Sequence, residues 1–194
     1  DLYPPTKTMK PFRRSTHQAT AGYTLIEVIA VVVIVGVLAA IAAPSWLQYL
    51  NNRRMGAVNS DLVQSLKQAQ QEAIKQRQRV KVTVDAEAAV PTINVDYRVP
   101  VGEGVDTPGD GADIPLGQGA GIRPGLMQLE APADETLIFD YQGLIREQTT
   151  LPYVIKVSMA SNPGRQHCVI VASLIGTIKT AQDAECDAPD VEIE

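Results

Sequence analysis

The sequence predicts an α+β fold, a long amino-terminal α-helix followed by an antiparallel β-sheet. Three observations support this class. Residues 21–44 form an aliphatic run, residues 45–79 contain no proline and show apolar spacing of three and four, and from Val80 apolar and polar residues alternate. Alternating segments bounded by Gly- and Pro-rich stretches are typical of strands joined by turns.

The aliphatic run is long enough to cross a membrane. No charged side chain occurs from Val28 to Trp46, a length close to the ~20 residues that span a bilayer as a helix. A buried helix of a soluble domain is one alternative, but such helices are rarely apolar on all sides. A cleaved secretory signal is another, but its small-residue site would follow the run, whereas Ala21-Gly22 precedes it. We therefore expect a single membrane-spanning helix.

Charge is distributed unevenly along the chain. The formal net charge is −5, yet residues 1–22 carry +3 and residues 80–194 carry −11. The positive-inside rule then places the amino terminus in the cytoplasm and the acidic domain outside. Arg53 and Arg54 follow the run and weaken this signal, although translocation of a long domain depends little on such charges.

The two cysteines, Cys168 and Cys186, lie in the domain expected outside the cytoplasm. An oxidising compartment favours a disulfide between them. It would close a loop of about 19 residues and stabilise the fold by roughly 3 kcal/mol in the chain-entropy description. Two free buried thiols are the alternative.

Residues 22–27, GYTLIE, lie between a basic leader and the long apolar run. This arrangement resembles the processing motif of type IV prepilins and type II secretion pseudopilins. The resemblance implies that prepilin peptidase cuts after Gly22 and N-methylates the new terminus, Tyr23, where the family usually has phenylalanine. Residues 1–22 would then be a cytoplasmic leader. Met9 offers an alternative start, with residues 1–8 as upstream sequence.

Glu27 is the one charge in this apolar surrounding. A carboxylate in hydrocarbon costs on the order of 2.5–3.5 kcal/mol at a helix centre, and less near the edge. The resemblance implies that Glu27 acts in assembly by pairing with the terminal amine of a neighbouring subunit. Stabilisation of the first helical turn through the helix dipole is the alternative.

From this resemblance we expect one helix with two parts. Residues 23–46 would lie in the membrane and later in the filament core, and residues 47–79 would form an amphipathic part. Pro44 lies inside the run and predicts a kink, which pilins commonly have in this region. A 3–4 spacing predicts which side chains of the second part face the domain: Val58, Leu62, Leu66, Ala69 and Ala73. A basic cluster is expected at the helix end: Lys75, Arg77, Arg79 and Lys81.

Residues 80–194 are predicted to form a β-rich extracytoplasmic domain. The first two strands, residues 80–85 and 92–99, are expected to pair as a hairpin, and residues 100–125 are predicted to be a loop. Further strands are predicted over 136–140, 144–147, 153–159, 168–173 and 177–180, with turns at 141–143, at 161–164 and near Gly176.

The segments LIFDYQG and RQHCVIVASLIGTIKT, within residues 136–180, resemble the GspH/FimT class of minor pilins and pseudopilins. This resemblance implies a structural subunit of a type IV pilus or a type II secretion pseudopilus. Its expected partners are prepilin peptidase, other pilins or pseudopilins, and the inner-membrane assembly platform. Its expected location is the bacterial inner membrane, with a periplasmic domain, and then the filament. A single-span protein with a ligand-binding domain for DNA uptake or adhesion is the alternative.

Catalysis is not expected. The histidines are His17, in the leader, and His167, whose neighbour Cys168 would point to the opposite face of a strand. The sequence contains neither a GxSxG nucleophile motif nor a phosphate-binding loop. We therefore predict no enzyme activity and no cofactor.

Metal and nucleic-acid binding are weak alternatives. Asp106, Asp110 and Asp113 lie in a Gly-rich loop and could ligate Ca²⁺, but their spacing does not match the EF-hand pattern. FimT-like pilins that bind DNA carry a Gly-Arg-x-Arg motif, whereas this chain has Gly176 followed by Thr, Ile and Lys179. The acidic domain should also repel phosphates, so nucleic-acid binding is not expected.

Overall fold

The structure is a computed structural model, and it describes residues 22–99, 111–132, 136–146 and 149–189. One α-helix, α1 (Leu25–Gln76), precedes eight strands in this part of the chain. The strands are β1 (Arg79–Asp85), β2 (Thr92–Val99), β3 (Ala112–Pro115), β4 (Met127–Glu130), β5 (Leu137–Phe139), β6 (Tyr153–Met159), β7 (Asn162–Val171) and β8 (Ile178–Gln182). A short 3-10 helix, Asp183–Cys186, follows β8.

The chain divides into two units, Asp1–Pro44 and Ser45–Glu194. The second unit contains two four-stranded antiparallel sheets, ordered β3-β2-β1-β5 and β4-β6-β7-β8. The α+β class is confirmed, with two sheets in place of the one expected. The hairpin of β1 and β2 is also confirmed, with Asp85 opposite Thr92 at its closed end.

Three local predictions were wrong. Residues 100–125 were predicted as loop, but β3 forms within the described part of that range by pairing with β2. Residues 144–147 were predicted as a strand, but of their described residues only Ile145 pairs, as an isolated bridge to Phe139. Residues 161–164 were predicted as a turn, but the chain reverses at Ala160 and Ser161, and β7 already begins at Asn162, opposite Met159.

The helix α1 ends in a Schellman motif. The Arg77 N–H donates to the Ile74 carbonyl over 3.3 Å, and the Gln78 N–H donates to the Ala73 carbonyl over 3.2 Å. Arg77 adopts the left-handed conformation, with φ of 53°, that glycine usually supplies at this position. The helix therefore ends at Gln76, inside the basic cluster where its end was expected.

One face of α1 builds the core of the second unit. The five side chains predicted to face the domain are all buried, and Met55 extends the same stripe by three residues. They share a single apolar cluster with residues of both sheets, including Phe139 and Ile155. Fully burying each large aliphatic side chain contributes about 1.5–3 kcal/mol relative to exposure. The helix is thus the common support of both sheets.

The second sheet carries the disulfide. Cys168 in β7 is bonded to Cys186 in the short 3-10 helix, with an S–S distance of 2.08 Å. Both cysteines are fully buried in a small cluster of their own with Ile170 and Ala172. The Lys156 Nζ lies 2.7 Å from Asp187 Oδ1 and holds the segment after the 3-10 helix against β6. The disulfide therefore fixes the 3-10 helix, Asp183–Cys186, to the second sheet.

Two glycine turns are held by one glutamine of α1. Gln70 Nε2 donates to the Gly143 carbonyl over 2.8 Å and to the Ile175 carbonyl over 3.1 Å. Gly143 and Gly176 have φ of 79° and 76°, which side chains rarely tolerate. The Ile145 N–H donates to the Leu174 carbonyl over 2.7 Å and joins the two turns directly. Residues 143 and 176 are glycines because α1 approaches both turns closely.

Replacing Gly176 by alanine should therefore destabilise the domain. A Cβ at residue 176 would lie 2.4 Å from Gln70 Nε2, so the amide must move and lose its hydrogen bonds. We expect a loss of about 2–3 kcal/mol, from about 1–2 for left-handed backbone and about 1 for the hydrogen bonds. Thermal unfolding of the full chain in detergent, followed by circular dichroism, measures this loss.

Gly121→Ala is the matched control, because Gly121 has φ of 67° but nothing lies within 4 Å of the added Cβ. It should show the backbone contribution alone. Equal destabilisation by the two substitutions would contradict the role of Gln70.

Candidate functional site

The first part of α1 presents apolar side chains to its surroundings on all sides. Every side chain described from residue 22 to residue 49 is exposed. The large ones are exposed by 49% to 83% of their surface, from Tyr23 to Tyr49. Burying apolar surface contributes about 25 cal/mol per Å², so a helix of this kind requires a covering of lipid or of other protein.

Length and composition allow α1 to cross a bilayer. Among the described residues it is the one helix with these properties, and its most apolar 18-residue window has a mean hydropathy of 3.0. That window is not buried within the protein, which distinguishes it from the core helix of a soluble domain.

The amino-terminal end of α1 has a capping arrangement. The Glu27 N–H donates to the Thr24 Oγ1 over 3.3 Å, and the Val28 N–H donates to the Thr24 carbonyl over 3.2 Å. Thr24 is therefore the N-cap residue and Glu27 the third residue of the helix, which is the spacing of a capping box. No role was predicted for Thr24, although T-x-x-E before an apolar run indicates such a cap.

Glu27 has no nearby cation along its own helix. The sequence contains no Lys or Arg from residue 22 to residue 52, so the first basic side chain after Glu27 is Arg53. Glu27 takes part in neither of the ion pairs Glu72–Lys75 and Asp187–Lys156. From residue 22 to residue 52 the chain therefore offers this carboxylate no Lys or Arg.

The predicted processing site lies just before the helix. Gly22 and Tyr23 precede α1, the space around Gly22 is open within 4 Å of an added Cβ, and Tyr23 is 83% exposed. The leader up to residue 21 lies outside the described residues. Pro44 lies within α1, and the kink there stays a prediction.

Of the three aspartates considered as calcium ligands, the structure describes Asp113. Asp113 lies in β3 and accepts from Asn94 Nδ2 over 2.8 Å, whereas Asp106 and Asp110 are outside the described residues. Over the described ranges, no three His, Cys, Asp or Glu side chains group as metal ligands.

His167 and Cys168 cannot act as a base and a nucleophile, because Cys168 is already in the disulfide. Partial burial lowers the pKa of His167, an effect opposed by Asp183 and reinforced by Arg165. Gly176, from the stretch compared with the DNA-binding motif, supports a turn on α1.

Comparison with known proteins identifies two matching sequence families. The model of the type II transport protein GspH matches residues 59–174, and that of the prokaryotic N-terminal methylation motif matches residues 18–43. No curated protein sequence matches the chain significantly.

Solved structures of two proteins are similar to this chain. The type IV minor pilin FimU of Pseudomonas aeruginosa PAO1 is 13% identical, with a TM-score of 0.47, and the match covers 69% of this chain and 92% of FimU. The minor pseudopilin EpsH from the type 2 secretion system of Vibrio cholerae is 16% identical, with a TM-score of 0.45, and the match covers 66% of this chain and 96% of EpsH.

The exposed helix predicts how the full chain fractionates. Because its apolar surface is uncovered by the protein itself, the chain should remain in the membrane pellet after alkaline carbonate washing and dissolve only in detergent. Immunoblotting of the two fractions measures this partition. Release of most of the chain by carbonate would contradict anchoring through residues 23–46.

Proposed function

The chain belongs to the GspH family and is a pilin or pseudopilin subunit; from this premise we propose how it is processed, inserted and assembled. It is made with a cytoplasmic leader, which prepilin peptidase removes by cutting between Gly22 and Tyr23. The same enzyme methylates the new amine of Tyr23. Exposure of both residues ahead of α1 supports this step, because a peptidase must reach the bond in extended chain.

Before assembly the subunit spans the inner membrane once, with its amino terminus in the cytoplasm and its domain in the periplasm. The basic leader and the acidic domain favour this orientation. The disulfide between Cys168 and Cys186 also supports it, because such bonds form and persist outside the reducing cytoplasm.

The subunit then leaves the bilayer for a filament, in which other pilins or pseudopilins cover its apolar helix. One observation carries this proposal. The apolar part of the helix is exposed, and the carboxylate at its start, Glu27, is followed by 25 residues without a Lys or Arg. When the helix moves from lipid into a bundle of other helices, its apolar surface stays covered. Hydrophobicity alone therefore does not select the position of the subunit in the filament. A specific polar contact is therefore needed to select it.

Glu27 supplies that contact. Cleavage creates a protonated amine, whose ordinary pKa is about 7.7–8.0, and the amine of a neighbouring subunit can pair with the Glu27 carboxylate. A charge left unpaired in an apolar core is strongly unfavourable, so only the register that joins amine to carboxylate is accepted. The domain contributes no catalysis in this account.

A pair of substitutions separates docking from helix capping. Glu27→Gln keeps the size of the side chain and removes its charge, whereas Thr24→Val removes the capping oxygen and keeps the charge. We expect Glu27→Gln to be cleaved normally but to enter filaments about tenfold less or worse. Thr24→Val should enter near the wild-type level, because a cap contributes only about 1 kcal/mol to a helix of 52 residues.

The measurement is an immunoblot of sheared filaments and of whole cells from a host that supplies the partner subunits. Normal incorporation of Glu27→Gln would contradict the docking role. An equal defect in Thr24→Val would assign Glu27 to helix capping instead.

A further inference from the structure

A small cleft lies in the second unit, between α1 and the hairpin of β6 and β7. Its volume is about 80 Å³, and Met55 and Met159 form its apolar floor. Its walls carry amide side chains and one guanidinium group: Gln48, Asn51, Asn52, Asn162 and Arg165. No carboxylate lines the cleft, so its chemistry suits an anion and not a metal cation.

Arg165 is placed there by an irregularity in β7. Ser158 pairs with Gln166 and Met159 pairs with Asn162, so the three residues 163–165 have no partners in β6. Such an insertion bends its strand and redirects side chains. Arg165 is exposed, and within the described residues it forms no ion pair.

The donors of the cleft match the oxygens of a phosphate group. A guanidinium offers two parallel N–H donors to phosphate, and each amide adds N–H donors of its own. Arg54 lies at the same part of the helix, where its Nη1 is 3.5 Å from Asn51 Oδ1. A volume of this size admits a phosphate group but leaves little room for a larger molecule.

The position of the cleft indicates the source of that phosphate. Gln48 lies two residues beyond Trp46, where the charge-free run ends. The Trp46 and Tyr49 rings are exposed, with centroids 5.8 Å apart, and the Arg53 guanidinium lies 5.9 Å from the Tyr49 ring centroid. Aromatic rings and cations at the end of a membrane span are typical of the level of the lipid headgroups.

We propose that this cleft binds the phosphate headgroup of an anionic phospholipid, with Arg54 next to it through its hydrogen bond to the lining residue Asn51. It holds the subunit at a fixed depth in the bilayer before assembly. The proposal rests on membrane anchoring and not on the docking role of Glu27. Free phosphate shares the same chemistry, so the test must separate the two sources.

The test uses the full chain in detergent micelles, mixed with equal amounts of phosphatidylglycerol and phosphatidylcholine. Native mass spectrometry counts the lipids that remain bound. We expect phosphatidylglycerol to be preferred, and Arg165→Gln to reduce this preference by about fivefold, the contribution of one cation at a lipid surface. Arg123→Gln, which removes an exposed arginine from a loop outside the cleft, should leave the preference unchanged.

Three results would overturn the proposal. An unchanged preference in Arg165→Gln would exclude the cleft, and equal losses in Arg165→Gln and Arg123→Gln would indicate diffuse charge attraction. Displacement of the bound lipid by inorganic phosphate at similar concentrations would assign the cleft to the free anion. If Arg165→Gln fails to fold, Arg165→Lys replaces it in the test, because lysine keeps the charge but lacks the planar guanidinium. We expect its preference for phosphatidylglycerol to lie between those of the wild type and of a neutral variant. None of these outcomes depends on filament assembly.

Discussion

The structure depends on one helix whose apolar surface must be covered in two different ways. Between Met55 and Ala73, a single stripe of α1 is buried by its own domain and supplies the common core of both sheets. Between Leu25 and Tyr49, nearly all side chains of the helix are apolar, and every one whose burial the structure describes is exposed. Since exposed apolar surface on this scale is unfavourable in water, lipid or other subunits must complete the burial.

The same constraint explains why polar groups are placed at specific points of the helix. Thr24 and Glu27 lie at its start, where the cap is satisfied but the carboxylate has no partner on its own helix. Gln70 lies near its other end, where its amide joins the turns of Gly143 and Gly176. Both glycines lie in the segments that resemble the GspH/FimT class, and in this chain their contact with α1 explains them.

Sequence patterns predicted the features that depend on local periodicity. The buried stripe of α1 and the β1–β2 hairpin were predicted because periods of 3.6 and 2 are visible within short segments. The fully buried disulfide links Cys168 and Cys186, whose pairing was predicted because the domain was expected in an oxidising compartment. The strands β3 and β4 were missed, because short edge strands in Gly-rich sequence form through their partners and not through their own propensity. The cleft that holds Arg165 was missed for the same reason, since it arises from the register of β7 against β6.

Docking through Glu27 requires that a leader-bearing chain is first converted into a subunit with a free amine at Tyr23. The decisive measurement is mass spectrometry of the amino-terminal peptide, from the chain expressed in a host with prepilin peptidase and in the same host without it. We expect a peptide beginning at N-methylated Tyr23 in the first host and an intact leader in the second. An intact leader in both hosts would contradict this prediction.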